Sequence, residues 1–117
     1  MRDELIFHLV PKDDWKEHQD SGVYRPDTLE EDGFIHCSTG KQVQQVANRR
    51  FPGRDDLLLL IVDVAGLESD VKMETAESGE EAFPHIYGPL NIDAIIDKIS
   101  LEPQEDGSFY IEFDSTE

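Results

Sequence analysis

A run of apolar residues at positions 57–64, LLLLIVDV, constrains the fold of this chain more than any other segment. The side chains of a strand point alternately to its two faces, so a run without alternation predicts a strand that is buried on both faces. The six successive apolar residues at 57–62 have the length of a strand and are too few to cross a bilayer. We therefore expect this segment to be the central strand of a sheet.

Strand patterns also occur elsewhere in the chain. The first, residues 4–10 (ELIFHLV), is apolar and stops at Pro11, which lacks the N–H that a central strand needs. The other predicted strands are residues 34–38, 71–74, 94–101 and 108–113, the last of them after the turn-forming Glu-Asp-Gly at 105–107. Residues 114–117 are expected to fray.

Two short helices are predicted. The first, residues 12–21, is polar, is anchored by Trp15 and is followed by Gly22 as its C-terminal cap. The second starts at Thr39, which fits a capping box with Gln42. Its apolar face is made of Val43, Val46, Ala47 and Phe51, at helical spacing. Segments rich in acids, proline or glycine are expected to be irregular: 23–33, 75–82 and 83–90.

The order of these elements predicts an α+β fold, with a mixed, mainly antiparallel split sheet and two short helices. The length of 117 residues favours a single domain, residues 1–117. Ten basic against 27 acidic residues give a net charge of −17, so neither DNA nor an anionic membrane is expected as a partner. A single cysteine cannot form an internal disulfide, and no targeting segment is visible, which together favour a cytoplasmic protein.

Three of the four histidines, His8, His36 and His85, occupy apolar segments. A buried imidazole needs hydrogen-bond partners, so each of them taken alone is typical of a structural residue. Together they favour a site, because the first two strands can lie side by side and bring His8 and His36 into one cleft. Ser38 falls on the same face of its strand as His36, whereas Cys37 falls on the opposite face and is expected to be an inert, buried thiol.

The junction between Ser38 and the helix predicted from Thr39 is a candidate anion site, because backbone amides collect where a helix begins. Four of the ten basic residues follow within a span of fourteen positions: Lys41, Arg49, Arg50 and Arg54. This patch is either a solvated face paired with the many acids or a phosphate-facing edge. The three apolar histidines could also form a zinc site, but HxH and HExxH motifs are missing from the sequence and no metal is expected.

Several segments resemble a bacterial family known as domain of unknown function 952. The resemblance covers about residues 5–101 and rests on IFHLVP, DGFIHCST, VANRRFPGRDDLLLLIVD and FPHIYGPL. That family is similar in layout to the ADP-ribosyltransferase-like fold, especially its RNA 2′-phosphotransferase branch. The resemblance implies that His8 contacts the ribose of NAD, that His36 and Ser38 line the same pocket, and that Tyr87 or His85 occupies the region of the third motif. The glutamate that usually stands in this motif is replaced by PHIYGPL.

The functional expectation is a nucleotide-like ligand, with NAD as a substrate and transfer of ADP-ribose or phosphate as the chemistry. His8, His36 and Tyr87 are the candidate catalytic residues, and Ser38, Thr39, Arg49 and His85 are the candidate ligand-binding residues. Two alternatives stay open: a non-catalytic module that binds a small ligand or a protein, and a zinc hydrolase that uses the three histidines.

Overall fold

The leucine-rich run forms the middle strand of a three-stranded antiparallel sheet. In the computed structural model, which describes residues 5–75 and 81–111, strand β5 (Leu57–Asp63) lies between β1 (Leu5–Pro11) and β9 (Ile95–Leu101). Its side chains Leu57, Leu59, Leu60 and Val62 are at most 1% exposed. The predicted central strand is confirmed, and β9 follows a 3-10 turn at Ile92–Ala94.

Two smaller sheets complete the α+β fold. One contains β2 (Gln19–Asp20), β3 (Val23–Tyr24) and β8 (Leu90–Asn91); the other contains β4 (Ile35–His36), β7 (Ala82–Tyr87) and β6 (Asp70–Thr75), with β7 in the middle. All strand pairs formed by the described residues are antiparallel, so the parallel part of the expected mixed sheet is not found among them.

The sheets of β1 and β4 are joined by a single backbone bridge. The N–H of Phe7 donates to the carbonyl of Ser38 at 2.8 Å, and the N–H of Ser38 donates back to Phe7 at 2.7 Å. This bridge places the histidine of β1 next to the histidine of β4. The sheet is therefore split, as predicted, and the two strands lie side by side.

The described residues form three short helices rather than the predicted two: α1 (Lys12–His18), α2 (Asp27–Asp32) and α3 (Val43–Arg50). Helix α2 lies in a segment that was expected to be irregular. It begins after Pro26, whose own backbone is extended and stands outside the first turn. It ends at Gly33, whose φ of 87° favours glycine. None of the helices in the described ranges is long and apolar enough to span a lipid bilayer.

The first predicted helix ends early. Helix α1 stops at His18, and Gln19 and Asp20 pair with β3 in a hairpin. Ser21 and Gly22 form its two-residue turn with φ values of 55° and 83°, a backbone that suits glycine. Gly22 is therefore a hairpin residue and not a helix cap.

Helix α3 begins four residues later than predicted. The amides of Gln42 and Val43 donate to the carbonyl of Thr39, which forms a turn before the helix. Only the glutamine half of the capping box is present: its side-chain oxygen accepts the Thr39 N–H at 3.0 Å. Val43 and Ala47 are fully buried, so the predicted apolar face is confirmed at these positions.

The segment 83–90 was expected to be irregular, and this prediction is wrong because strand β7 runs through Pro84. The N–H and carbonyl of one strand residue point to the same neighbour. The Pro84 carbonyl accepts the N–H of Cys37 at 3.0 Å, so the N–H that proline lacks would also face Cys37, just beyond the end of β4. The proline therefore costs the sheet little.

The strand predicted at 108–113 is not formed by residues 108–111. Their backbone is held by side chains of α3 instead: Asn48 accepts from the N–H of Phe109 at 2.5 Å and donates to its carbonyl, and Gln44 accepts from the N–H of Ile111. Residues 112–113, the tail at 114–117, most of the acidic segment 75–82 and Glu4 of the first strand lie outside the described residues.

Candidate functional site

A cleft of about 720 Å³ opens where β1, β4, β7 and the C-terminal end of α3 meet. Its walls include all four histidines of the chain and three arginines: His8, His18, His36, His85, Arg49, Arg50 and Arg54. Of the predicted site residues, the structure brings His8, His36, Ser38, His85 and Arg49 to this cleft. Thr39 and Tyr87 are not among the residues that line it.

His8 lies on the face of β1 that carries Ile6 and Val10, against the main core, and its side chain is buried. Its Nδ1–H donates to the carbonyl of His36 at 2.6 Å, and its Nε2 accepts from the Tyr24 hydroxyl at 3.0 Å. Burial lowers the pKa of His8 to about 4, against the opposing effect of the bond to the His36 carbonyl. His8 is therefore neutral at pH 7, and both of its nitrogens are engaged within the chain.

His36 and His85 face each other across the pairing of β4 with β7, with ring centroids 5.5 Å apart. His36 Nε2 lies 2.8 Å from a carboxylate oxygen of Asp32, and His85 Nδ1 lies 2.7 Å from a carboxylate oxygen of Glu74. Each ring is thus held by its own acid. We call these two pairs the His–acid dyads.

Phe34 holds the two imidazoles of the dyads in place. Its ring stacks on His85 at 4.0 Å between centroids and an interplanar angle of 12°, and meets the His36 ring edge-on at 4.8 Å. It also contacts Tyr87, at 5.3 Å. Because aromatic pairs of this kind add to stability beyond their buried area, Phe34 fixes the position of the dyad rings.

Tyr87 lies one step further along the same face of β7 than His85, which removes it from the cleft wall. Its hydroxyl donates to Glu74 at 2.5 Å, and the ammonium of Lys72 lies 5.0 Å from its ring centroid. The hydrogen bonds from Tyr87 and His85 lower the pKa of Glu74, so this acid is ionised at neutral pH. Tyr87 therefore contacts the His85 dyad through their shared partner, Glu74.

Ser38 and Cys37 are both buried beside the bridge to β1. Burial raises the pKa of the Cys37 thiol, in agreement with the predicted inert residue. The helix start on which the anion site at Thr39 was predicted is not formed there, because α3 begins four residues later and the N–H of Thr39 donates to Gln42. The opposite, C-terminal end of α3 reaches the cleft and brings charged side chains there instead of free amides.

That end carries Arg49 and Arg50, both exposed. Within residues 5–75 and 81–111, no carboxylate lies in ion-pair distance of either. Arg54, by contrast, makes two hydrogen bonds to Asp56, at 2.9 and 2.8 Å. The four residues of the predicted basic patch therefore differ. Arg49 and Arg50 line the cleft without a carboxylate partner among the described residues, Arg54 lines it but is paired with Asp56, and Lys41 does not line it.

Among the described residues, the side chains of Asp14, Glu17 and His18 are spaced closely enough to hold a metal ion. The nitrogens of His18 are already used, Nδ1 by the Asp14 carbonyl at 2.9 Å and Nε2 by Asp27 at 3.1 Å. The hydrogen bond to the Asp14 carbonyl is the main cause that raises the pKa of His18. His8, His36 and His85 do not form such a group in the described part of the chain.

Replacing Phe34 by leucine should loosen the dyads. We expect a loss of about 1 kcal/mol in the free energy of unfolding from the lost ring contacts, together with shifts of the His36 and His85 ring signals in NMR spectra. Met73→Leu, on the exposed side of the neighbouring strand β6, is the matched control. Unchanged histidine signals in Phe34→Leu would show that the stack does not position the rings.

Several site residues were not predicted as such: Asp32, Glu74, Phe34, Tyr24 and His18. Asp32 stands four residues before His36, a spacing that offered a weak signal. Glu74 comes from another strand, eleven residues from His85, and its contact depends on the register of β6 with β7. The acids of this chain are so many that no pattern distinguished Glu74 from the rest.

The fold and site define a class of small antiparallel α+β protein with a histidine-lined, arginine-edged cleft. The chain belongs to the family described as Protein of unknown function (DUF952), whose model matches residues 9–98. The matched range contains the lining residues of the cleft from Leu9 to His85, and His8 immediately precedes it.

Solved structures of one relative share this fold. The X-ray structure of protein CC0527 from Caulobacter crescentus is 32% identical to this chain, with a TM-score of 0.79, over 91% of this chain and 93% of the relative. Its solution NMR structure is also 32% identical, with a TM-score of 0.76 over 89% and 90% of the two chains. No curated protein matches the chain. The comparisons therefore establish family and fold.

Proposed function

We propose that the cleft binds a small phosphorylated ligand of nucleotide size, for which NAD is the representative probe. The observation that carries this proposal is the placement of charge. In a chain with a net charge of −17, Arg49 and Arg50 lie together at the cleft without an acidic partner among the described residues. An arginine fork is well suited to phosphate oxygens.

The size and chemistry of the walls support the same ligand class. A volume of about 720 Å³ falls in the range of small-molecule pockets, and the apolar lining includes Phe34, Phe51 and Phe83. Aromatic rings offer stacking surfaces to a base, while the arginines and histidines offer donors to phosphates and hydroxyls. The ligand class follows from this combination of a flat apolar group and an anion.

Transfer of ADP-ribose, which the resemblance implies, stays a prediction. The resemblance implies that His8 contacts the ribose, but both nitrogens of His8 are already hydrogen-bonded, to the His36 carbonyl and the Tyr24 hydroxyl. A ribose contact through this ring would require one of these bonds to be exchanged. We therefore propose that His8 supports the cleft wall and that the function is ligand binding. Release of nicotinamide from NAD would be the readout for a transfer reaction.

The experiment is a calorimetric titration with NAD, with isotope-detected NMR to locate the site. Replacing Arg49 or Arg50 by glutamine should weaken binding by about tenfold each, because a charge-assisted hydrogen bond contributes about 1.5 kcal/mol or more. Lys41→Gln is the matched control, since it removes the same charge from the same basic segment but away from the cleft. It should change the affinity by less than about twofold, as screening weakens distant charges.

Two results would contradict the proposal. One is the absence of binding at millimolar NAD. The other is an equal loss of affinity in Lys41→Gln and in Arg49→Gln, which would indicate general attraction between an anion and the basic segment rather than a site. NMR shifts at His36, His85 and the end of α3 are the expected positive result.

A further inference from the structure

We propose that the His–acid dyads are an acid–base pair that hydrolyses a phosphodiester bond, with His36 and His85 as catalytic residues and Asp32 and Glu74 as positioning residues. This inference rests on the proposed binding of a phosphorylated ligand and adds a reaction to it. It is carried by the geometry of two imidazoles that face one cleft.

Each imidazole of the dyads presents one nitrogen that is not engaged. In His36 the Nε2 is held by Asp32, and in His85 the Nδ1 is held by Glu74. Within the described ranges, His36 Nδ1 and His85 Nε2 have no hydrogen-bond partner. A carboxylate on one ring nitrogen fixes the tautomer, so the other nitrogen is the one that accepts or delivers a proton.

His8 and His18 differ from the dyads in this respect. Both nitrogens of His8 are bound to His36 and Tyr24, and both nitrogens of His18 are bound to Asp14 and Asp27. All four histidines line the cleft, but only the dyad rings retain a free nitrogen in the described structure. The chain therefore separates structural from reactive imidazoles.

The placement of the dyads suits a phosphate held by the arginines. The two rings meet edge-on, 5.5 Å apart between centroids and inclined by 70°, and both line the cleft, so both can reach one bound phosphate group. The His36 side chain is 36% exposed and meets water, whereas the His85 side chain is 12% exposed and lies deeper, against Phe34. Contact with water assigns the base to His36, and the Glu74 carboxylate at 2.7 Å, which favours a charged imidazole, assigns the acid to His85.

The proposed step balances with water as the co-reactant. Neutral His36 accepts a proton at Nδ1 from a water molecule, whose oxygen forms a new bond to phosphorus. The bond from phosphorus to the leaving oxygen breaks, and that oxygen receives the proton from Nε2 of protonated His85. The products are a phosphomonoester and an alcohol, and the two imidazoles regain their starting protonation by exchange with solvent.

The probe for this reaction is adenosine 2′,3′-cyclic monophosphate, a strained diester whose opening is followed by ³¹P NMR. We expect His36→Gln and His85→Gln each to lower the rate by about 100-fold or more, the usual contribution of one acid or base. Lys41→Gln, at a residue that does not line the cleft, is the control and should keep the rate. Affinity for the probe is measured in parallel by calorimetry.

The outcomes separate the two proposals. A protein that binds the probe and leaves it intact would overturn the hydrolysis and leave the binding proposal standing. A protein that binds NAD but neither binds nor opens the cyclic probe would overturn the hydrolysis alone, and one that binds neither the probe nor NAD would overturn both. A rate that is equal in wild type, His36→Gln and His85→Gln would identify a contaminating activity and overturn the assignment.

The positioning residues are tested with Asp32→Asn and Glu74→Gln, at side chains exposed enough for the fold to tolerate the change. We expect kcat to fall by about tenfold with KM unchanged, since the tautomer is lost while the binding groups remain. Ring ¹⁵N shifts of His36 and His85 report the tautomer directly. Unchanged ¹⁵N shifts, or a loss confined to KM, would contradict the positioning role.

Discussion

Lowering the pH from 7 to 4 is expected to remove about 3 kcal/mol from the free energy of unfolding through His8 alone. The imidazole is buried between β1 and the main core, and its pKa is lowered to about 4 from the model-compound value of 6.5. In the unfolded chain the same group protonates near pH 6.5. Between these two values the unfolded state binds the additional proton.

The sign follows from this difference in bound protons. Stability rises with pH wherever the unfolded state binds more protons, so the contribution of His8 is complete above about pH 6.5 and is lost as the pH falls to about 4. Protonation would also give Nε2 a hydrogen directed at the Tyr24 oxygen, which now donates to it. Unfolding at low pH also breaks the hydrogen bond from His8 to the His36 carbonyl, which links β1 to β4 in the cleft wall.

The measurement is urea unfolding at several pH values between 4 and 7.5 for the wild type and for His8→Gln. Glutamine can make similar hydrogen bonds and does not titrate, while every other ionisable group is the same in the two proteins. The wild type should therefore lose about 3 kcal/mol more than the variant across this range. Parallel curves would show that His8 is not held neutral in the folded state.

The parts of the fold that could be predicted depend on local patterns. Strand β5 was indicated by its unbroken apolar run, and α3 by the helical spacing of Val43 and Ala47, because burial dictates these patterns directly. The proximity of His8 and His36 was proposed because the first two predicted strands can lie side by side, and it holds although α1, β2, β3 and α2 lie between β1 and β4 in the chain. The basic patch was visible as well, although its division between cleft and solvent was not.

The errors arose where a contact from a distant segment decides the structure. Pro84 reads as a strand breaker, and only the short length of β4 makes it tolerable in β7. Residues 108–111 have strand composition, but Asn48 and Gln44 of α3 satisfy their backbone instead of another strand. The dyad of Glu74 with His85 requires the register of two strands, which no single segment encodes.

Truncation of Leu60 to alanine is expected to cost about 3–4 kcal/mol of the free energy of unfolding, within the usual range for a buried leucine. Leu60 lies at the centre of β5, is 0% exposed and pairs in register with His8. Because the removed side chain packs among core residues on a central strand, neighbouring groups have little freedom to fill the cavity. A domain of this size has about 5–15 kcal/mol in total, so this single change approaches the limit of folding.

The matched control is Ile96→Ala on β9, in the same sheet but 57% exposed, which should cost less than about 1 kcal/mol. Urea unfolding at pH 7 measures both. The Leu60→Ala protein that remains folded should bind NAD with the affinity of the wild type, because Leu60 is not a lining residue of the cleft. Equal losses of stability in the two variants would contradict a central position of β5. A loss of NAD affinity in folded Leu60→Ala would contradict the expected wild-type affinity and would show that Leu60 shapes the cleft through its neighbour His8.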